Sequence, residues 1–450
     1  MSGERWSIDS TRPTAGAGDP SHTERAVALV ERLLTSATPT DAELLALARA
    51  GWVDRAAGLA RRRPADTLAM GLAAAAQGAA DATARFDGGP PLVGAPPTPP
   101  SRARALALEA GRAADDAATM VEVAVALAAT GTTDQARRML ERAAGRRSPW
   151  AAHRGATAVD LARVAEALAG HGERNGAAEL VEQAEGAATV LPATGWREDA
   201  LARVAVAWCR VSDLDRARRV LGALTLPWGQ VEGWLAVAEA QPGTTDARAA
   251  VERATVAARA ESYPDWRAEA LARVVRALAE SGDRERAGVV TAEITDPVWR
   301  AEAEVARATA ARLDGEVATA EGHEAAARAA AAGCGYGWWH QTADGLQRLA
   351  RARATTAGAE VGLAITTWVD PVPLKARIVQ GAAEGRLQRR PGVAGVDDVV
   401  RMTDAIRALG PAARRLEAAL VVLRVSRLMG DPTTGRRSDP CGRRPSTGPS

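Results

Sequence analysis

The most distinctive chemistry of this sequence lies in Gly333-Cys-Gly-Tyr-Gly-Trp-Trp-His340, which holds three glycines and three aromatic rings. A phosphate-binding glycine loop follows a strand and opens a helix, so that backbone N–H groups converge on the anion, and no strand is expected before this stretch. A turn between two helical hairpins is one interpretation. An exposed contact site is the other, and we predict that Tyr336, Trp338, Trp339 and His340 contact a binding partner.

Arginine recurs at one position of three similar helical segments, as Arg163, Arg203 and Arg273. Repeated guanidinium groups can form a ladder for an acidic peptide or a phosphate backbone. The same recurrence is typical of a solvated helix face with local ion pairs, which the nearly balanced charge of the chain favours. Both interpretations stay open, and the three arginines are candidate partner-binding residues.

Tryptophan stands near the start of many helix-sized segments, and proline often lies just before it, as in Pro149-Trp150 and Pro227-Trp228. Proline suits the first turn of a helix, so the pattern predicts helix starts followed by an apolar anchor between hairpins. A ladder of exposed indoles that clamps a peptide is the alternative. The series consists of Trp150, Trp196, Trp228, Trp266, Trp299, Trp338 and Trp368.

The sequence lacks the motifs of catalysis and of metal binding. The five histidines show neither HxxxH nor HExxH spacing, and there is no GxSxG elbow, Walker loop or dinucleotide fingerprint. Cys209, Cys334 and Cys441 are isolated, without the paired spacing of a disulfide framework or a zinc site. We therefore expect a protein that is not an enzyme and needs no cofactor or metal, although a site made of dispersed residues leaves no such motif.

Composition predicts the elements that must position these residues. The chain has 12 Trp, 2 Tyr and 1 Phe among 450 residues, while alanine is abundant, which favours closely packed helices over a sheet. Its 57 basic and 55 acidic residues nearly balance, which argues against strong attraction to nucleic acid or anionic membrane. Lys375 is the sole lysine, a bias typical of a high-GC bacterium. No signal peptide or membrane span is recognised, so we expect a cytoplasmic protein.

Composition also divides the chain into five parts. Residues 1–22 read as a disordered arm, and 23–84 as a small N-terminal helical unit. Residues 85–100 form a Pro/Gly linker, because FDGGPPLVGAPPTPP sustains neither helix nor sheet. Residues 101–430 are predicted to be a helical-repeat solenoid, and 431–450 a disordered basic tail.

Self-similarity is the strongest structural signal. Segments that start at Leu161, Leu201 and Leu271 share apolar residues at offsets 0, 3 and 7, which define one helix face, and a weaker copy starts at Leu235. The repeating unit is a helical hairpin. Its turn residue is followed five positions later by an alanine, which lets the second helix cross the first closely. These pairs are Gly131 and Ala136, Gly172 and Ala177, Ser212 and Ala217, and Gly282 and Ala287.

This spacing resembles that of the tetratricopeptide repeat (TPR) family, over residues 115 to 295. The resemblance implies an all-α solenoid of stacked antiparallel helical hairpins. The repeats are often longer than 34 residues and lack the usual large aromatics, so a HEAT-like superhelix is the alternative. Copies near 299–333, 337–367 and 371–387 keep Trp or Pro starts but are expected to lack the Gly-to-Ala spacing. The family's clamp for acidic C-termini is not expected, because its Lys and Asn positions hold mostly Ala, Val, Cys and Arg.

Repeated architecture without a catalytic constellation predicts a non-catalytic scaffold that presents a curved surface to a partner protein or peptide. The alternative is an RNA-binding repeat protein, since helical repeats of this length can read one base per unit. The neutral body and the alanine-rich first helices weigh against RNA. Partner identity and oligomeric state stay open.

Overall fold

The computed structural model describes most of the chain. The parts predicted as arm (1–22) and basic tail (431–450), almost all of the linker (85–100) and the residues Tyr336 and Trp338 lie outside the described residues. Those residues are 29–30, 33–34, 39–49, 52–83, 100–146, 151–192, 195–332, 339–369, 372–388, 396–409 and 419.

The fold is all-α, as the composition predicts, and no strand occurs among the described residues. A 3₁₀ helix, Ala364–Trp368, follows α18. The α-helices are α1 (Asp41–Arg49), α2 (Val53–Ala60), α3 (Ala65–Thr83), α4 (Pro100–Ala113), α5 (Ala117–Ala129), α6 (Thr133–Gly145), α7 (Ala151–His171), α8 (Arg174–Thr189), α9 (Gly195–Val211), α10 (Leu214–Gly222), α11 (Pro227–Glu239), α12 (Thr245–Ala260), α13 (Pro264–Glu280), α14 (Arg284–Glu293), α15 (Pro297–Leu313), α16 (Val317–Ala332), α17 (Trp339–Ala357), α18 (Ala359–Leu363), α19 (Val372–Gln388) and α20 (Val396–Ala408).

Six antiparallel hairpins form the centre of the stack: α5–α6, α7–α8, α9–α10, α11–α12, α13–α14 and α15–α16. The first helices of these hairpins pack on one another in succession, and α17 and α19 continue that row. The second helices pack mainly on the first helix of their own hairpin and on that of the next. The first helices therefore form one continuous layer of the stack, and the second helices form the layer beside it. At the N-terminal end, α3 packs on α4 and α5.

The turns inside the hairpins confirm the glycine positions inferred from the sequence. Gly131, Gly172, Ser212 and Gly282 have φ of 72°, 97°, 73° and 82°, the left-handed conformation of a helix C-terminus. In the first turn, the N–H of Thr132 donates to the carbonyl of Leu127 at 3.0 Å, which is the six-residue closure of a Schellman motif. The alanines five positions on, Ala136, Ala177, Ala217 and Ala287, are all fully buried.

A fifth copy of this turn corrects the expectation that residues 299–333 lack the Gly-to-Ala spacing. Gly315 has φ of 81°, Glu316 N–H donates to the carbonyl of Ala311 at 2.8 Å, and Ala320 is fully buried. The repeat was obscured because leucines of the earlier copies are replaced by charged residues and alanines here. Regular hairpins therefore extend through α16.

On the outer side of the stack, ion pairs connect second helices of successive hairpins. Arg137 bonds to Glu179, Arg216 to Glu182 and Arg286 to Glu252. These side chains are partly or largely exposed, and ion pairs at an exposed surface contribute little to stability. They align neighbouring hairpins, while burial of alanine, leucine and valine supplies most of the stability. No described helix combines the length and the apolar character needed to cross a bilayer.

Candidate binding surface of the first helices

The side of the first helices that faces away from the second helices is called the inner surface. Helical spacing of three, four and seven residues brings its side chains into rows along successive helices. Tryptophan lies at the start of the rows on α9, α11, α13 and α15, and charged residues follow. The residues of the inner surface are Glu122, Arg163, Glu166, Trp196, Asp199, Arg203, Arg210, Trp228, Glu232, Glu239, Trp266, Glu269, Arg273, Arg276, Glu280, Trp299, Glu302, Arg348 and Arg351.

The three arginines predicted to bind a partner all lie on this surface, and each is in an ion pair. Arg163 bonds to Glu122 at 2.8 Å and Arg203 to Glu166 at 3.0 Å, each joining two successive first helices. Arg273 bonds to Glu269 of its own helix at 3.2 Å. The guanidinium charges are thus matched within the chain, as the ion-pair interpretation predicts, and no more than about a third of each side chain is exposed.

Arg273 also covers an aromatic ring, a relationship that the sequence did not reveal. Its guanidinium carbon lies 4.6 Å from the ring centre of Trp228, on the neighbouring first helix α11. Arg216 lies 4.6 Å over Trp208, and Arg253 lies 4.5 Å over Trp234. A guanidinium over an indole face is attracted by the ring quadrupole. The recurrence of Arg and Trp in adjacent helices was the sequence signal for such contacts. The sequence does not determine which arginine lies over which ring.

The tryptophan series divides between the two predicted roles. Trp228 and Trp299 are partly buried and pack on the core, as anchors between hairpins should. Trp196 and Trp266 are 61% and 54% exposed, so they fit the indole-ladder alternative. Trp368 packs against the smaller apolar core, while Trp150 and Trp338 lie outside the described residues.

Tyr263 joins Trp266 in an exposed aromatic pair. Their ring centres are 5.1 Å apart with planes inclined by 54°, a favourable tilted arrangement. Tyr263 is 64% exposed. The pair stands at the entrance of α13, and exposed rings held in a fixed arrangement are typical anchors for a bound peptide.

Several carboxylates of the inner surface are partly removed from water. Burial raises the pKa of Glu166 and Glu280, in spite of Arg203 near Glu166 and of Arg276 near Glu280. Burial raises the pKa of Glu302 to about 7, although Arg348 bonds to its Oε1 at 2.8 Å. Perturbed pKa values cluster where charged groups are held in a desolvated surface, which is a property of binding sites as well as of structural ion-pair networks.

A second charged cluster lies inside the α15–α16 hairpin. Glu304, Arg312 and Glu324 are buried; Arg312 Nε donates to Glu324 at 3.0 Å, and Nδ1 of His323 lies 2.8 Å from Glu304. The apolar core separates into two clusters near this hairpin. When Trp299 is aligned with Trp266, Glu304 takes the place of a leucine that is buried in the core. This exchange is the sequence signal that would have indicated the buried charged cluster.

The predicted contact site at residues 333–340 stays a prediction. Tyr336 and Trp338 lie outside the described residues, and Trp339 and His340 are described only as the start of α17, without their side chains.

Within the described part of the chain, no group of three His, Cys, Asp or Glu residues is placed to hold a metal ion. Cys209 lies in the core of α9, where burial raises the pKa of its thiol to about 12. A thiol that stays protonated is a poor nucleophile. The inner surface, with its matched charges and exposed rings, is the strongest candidate site.

No family model and no curated protein matches the sequence. The crystal structure of Ton1535 from Thermococcus onnurineus NA1 is similar at 15% sequence identity and a TM-score of 0.28, covering 72% of this chain and 94% of that one. A likeness at that TM-score carries no argument about this chain.

Proposed function

We propose that the chain is a TPR-like scaffold of the bacterial cytoplasm that holds an extended segment of a partner protein along its inner surface. One observation carries the proposal: partly desolvated charges from successive first helices lie on the same side as the exposed rings of Trp196, Tyr263 and Trp266. Charges give such a surface specificity and register, while exposed aromatic rings supply contact area in the bound complex.

The physical basis is a preformed surface. Ion pairs such as Arg203 with Glu166 hold the charged side chains in place before a partner arrives. The partner segment then bears most of the ordering entropy of association, which is the advantage of a rigid receptor.

RNA binding draws less support from the same residues. Arg163, Arg203 and Arg273 already pair with carboxylates of the chain, so a phosphate would have to displace those carboxylates. Counterion release, the main driving force for non-specific RNA binding, requires basic groups that are free to neutralise phosphates.

Affinity capture from the native cell lysate, followed by mass spectrometry, tests the proposal. The informative variant is Arg203→Gln with Arg273→Gln, which alters the inner surface. Its matched control, Arg216→Gln with Arg286→Gln, removes two ion-paired arginines from the outer side. We expect a partner that the wild type and the control retain and the inner variant loses.

Circular dichroism must show that both variants keep their helix content. Retention of every partner by the inner variant would exclude this surface as the binding site. Capture that depends on single-stranded RNA, abolished by ribonuclease, would support the RNA alternative instead.

A further inference from the structure

The chain repeatedly holds its own guanidinium groups between an indole ring and a carboxylate. Arg273 lies 4.6 Å over Trp228 and bonds to Glu269 at 3.2 Å. Arg216 lies 4.6 Å over Trp208 and also bonds to Glu182. The ring attracts the face of the cation and the carboxylate accepts its N–H groups, so the two contacts act on one planar group without competing.

Trp196 and Asp199 supply the same two components at the start of α9, without an arginine. They stand three positions apart, and therefore on one helix face. Trp196 is 61% exposed. Among the residues whose side chains the structure describes, no guanidinium lies over its ring and no cation pairs with Asp199. The adjacent Glu198 is already engaged, since its carboxylate accepts from the N–H groups of Thr225 and Leu226 at 2.8 and 3.1 Å.

Asp199 is exposed, yet its surroundings disfavour the charged form of its carboxyl group. Burial, and then the neighbouring charge of Glu198, raise the pKa of its carboxyl. Neither cause is offset by an arginine, in contrast to Glu166, whose carboxylate has Arg203, Arg210 and Arg163 nearby. A cation placed beside Asp199 would relieve this penalty.

A second exposed aromatic group lies further along the same surface. Tyr263 and Trp266 stand at the start of α13, two first helices beyond α9. With adjacent helix axes about 8–10 Å apart, the two places are separated by about 16–20 Å. An extended chain covers that distance in about five or six residues.

We propose that Trp196 and Asp199 bind an arginine side chain of an extended partner segment, and that Tyr263 and Trp266 bind a second side chain five or six positions away. The inference rests on the proposed function and specifies the chemistry of the partner. Arginine fits better than lysine because its planar guanidinium stacks on the indole while donating to the carboxylate, whereas an ammonium is compact and strongly hydrated.

The probe is the synthetic peptide acetyl-Gly-Arg-Gly-Ser-Gly-Ser-Arg-Gly-amide. Its control is the same peptide with lysine in place of arginine. The full-length protein carries 5-fluorotryptophan, and the fluorine resonances of Trp196 and Trp266 are assigned from the variants Trp196→Phe and Trp266→Phe. We expect the arginine peptide to shift these two resonances, and the lysine peptide to bind at least fivefold more weakly. Asp199→Asn should weaken binding of the arginine peptide at least fivefold.

Asp215→Asn is the matched control, because Asp215 is an exposed aspartate on the second helix α10 and should leave the affinity unchanged. Equal affinity for both peptides, or no effect of Asp199→Asn, would overturn the inference. Occupation of the site by the chain's own basic end would also overturn the inference. That outcome would be revealed if a combined variant shifted the Trp196 resonance in the absence of peptide; this variant carries Arg436→Ala, Arg437→Ala, Arg443→Ala and Arg444→Ala.

The outcomes separate this inference from the proposed function. If the inner variant Arg203→Gln with Arg273→Gln loses a captured partner while the peptide fails to bind at Trp196, the scaffold stands and the arginine site is wrong. If the peptide binds as expected and the same inner variant still retains every captured partner, the arginine site stands and the wider inner surface does not hold the partner.

Discussion

Glu302 on α15 and Arg348 on α17 form an ion pair in which one carboxylate oxygen is left without a hydrogen bond. Arg348 donates to Oε1 at 2.8 Å, whereas Oε2 is buried and has no hydrogen-bond partner among the described residues. A Cβ on Gly345 would lie 2.2 Å from Oε2, so the glycine makes room for the carboxylate between the two helices. Burial therefore outweighs the attraction of Arg348, and the pKa of Glu302 rises to about 7.

The first prediction concerns pH. Unfolding returns the Glu302 pKa from about 7 to its ordinary value near 4.5, so the unfolded chain releases this proton at lower pH. The folded state then loses stability as pH rises from about 4.5 to 7, by about 3 kcal/mol at most. Glu302→Gln should therefore gain stability relative to the wild type between pH 5 and pH 8, as measured by urea unfolding.

Glu252→Gln, on the outer side, is the matched control and should show no comparable gain between these two pH values. If the stability difference between Glu302→Gln and the wild type were the same at pH 5 and pH 8, the raised pKa would be wrong.

The second prediction concerns the contact between α17 and α19. A Cβ on Gly385 would lie 2.1 Å from the backbone oxygen of Arg351, which cannot move without separating the helices. Gly385→Ala should therefore lower the free energy of unfolding by about 1–3 kcal/mol, the usual cost of overpacking. Gly186→Ala on α8 meets nothing within 4 Å and should stabilise by about 0.5–1 kcal/mol. Equal thermal midpoints for the two variants would contradict the close approach.

Local signals in the sequence were sufficient for the hairpins. Gly131, Gly172 and Gly282 mark the turns because a left-handed residue must end each first helix, and the periodic apolar residues mark the buried faces. Both signals act within a few residues, so they can be read without knowing the tertiary structure.

The inner surface could be predicted only in part, because its contacts join residues far apart in the chain. The recurrence of Arg163, Arg203 and Arg273 was visible, but the Glu122 and Glu166 partners lie about forty positions earlier on another helix. Trp196 is exposed, whereas Trp228 is partly buried because an arginine of a later helix covers its ring. Sequence periodicity is identical for both tryptophans and cannot separate them.

The third prediction tests the turn between α9 and α10. Ser212 is the described non-glycine residue with positive φ, at 73°. An L-residue in this conformation costs about 1–2 kcal/mol, while glycine loses about 0.4–1 kcal/mol through the greater freedom of the unfolded chain. Ser212→Gly should therefore stabilise the protein by about 0.5–1 kcal/mol, seen as a higher thermal midpoint. Gly282→Ser is the reverse exchange at an equivalent turn and should destabilise; a lower midpoint for Ser212→Gly would count against the turn conformation.

The fourth prediction tests why alanine follows each turn. Ala217 is fully buried where α10 crosses α9, and Ala177 and Ala287 hold the same place in other hairpins. Leucine at this point adds volume where the two backbones approach, so the helices must separate or the side chain must leave its preferred rotamer. Ala217→Leu should lower the free energy of unfolding by about 1–3 kcal/mol. Ala223→Leu, at an exposed position just beyond α10, is the control and should change it by less than about 0.5 kcal/mol. If urea unfolding gave the same free energy for both variants, close crossing would not be the reason for alanine, and the shared spacing would have to reflect helix propensity alone.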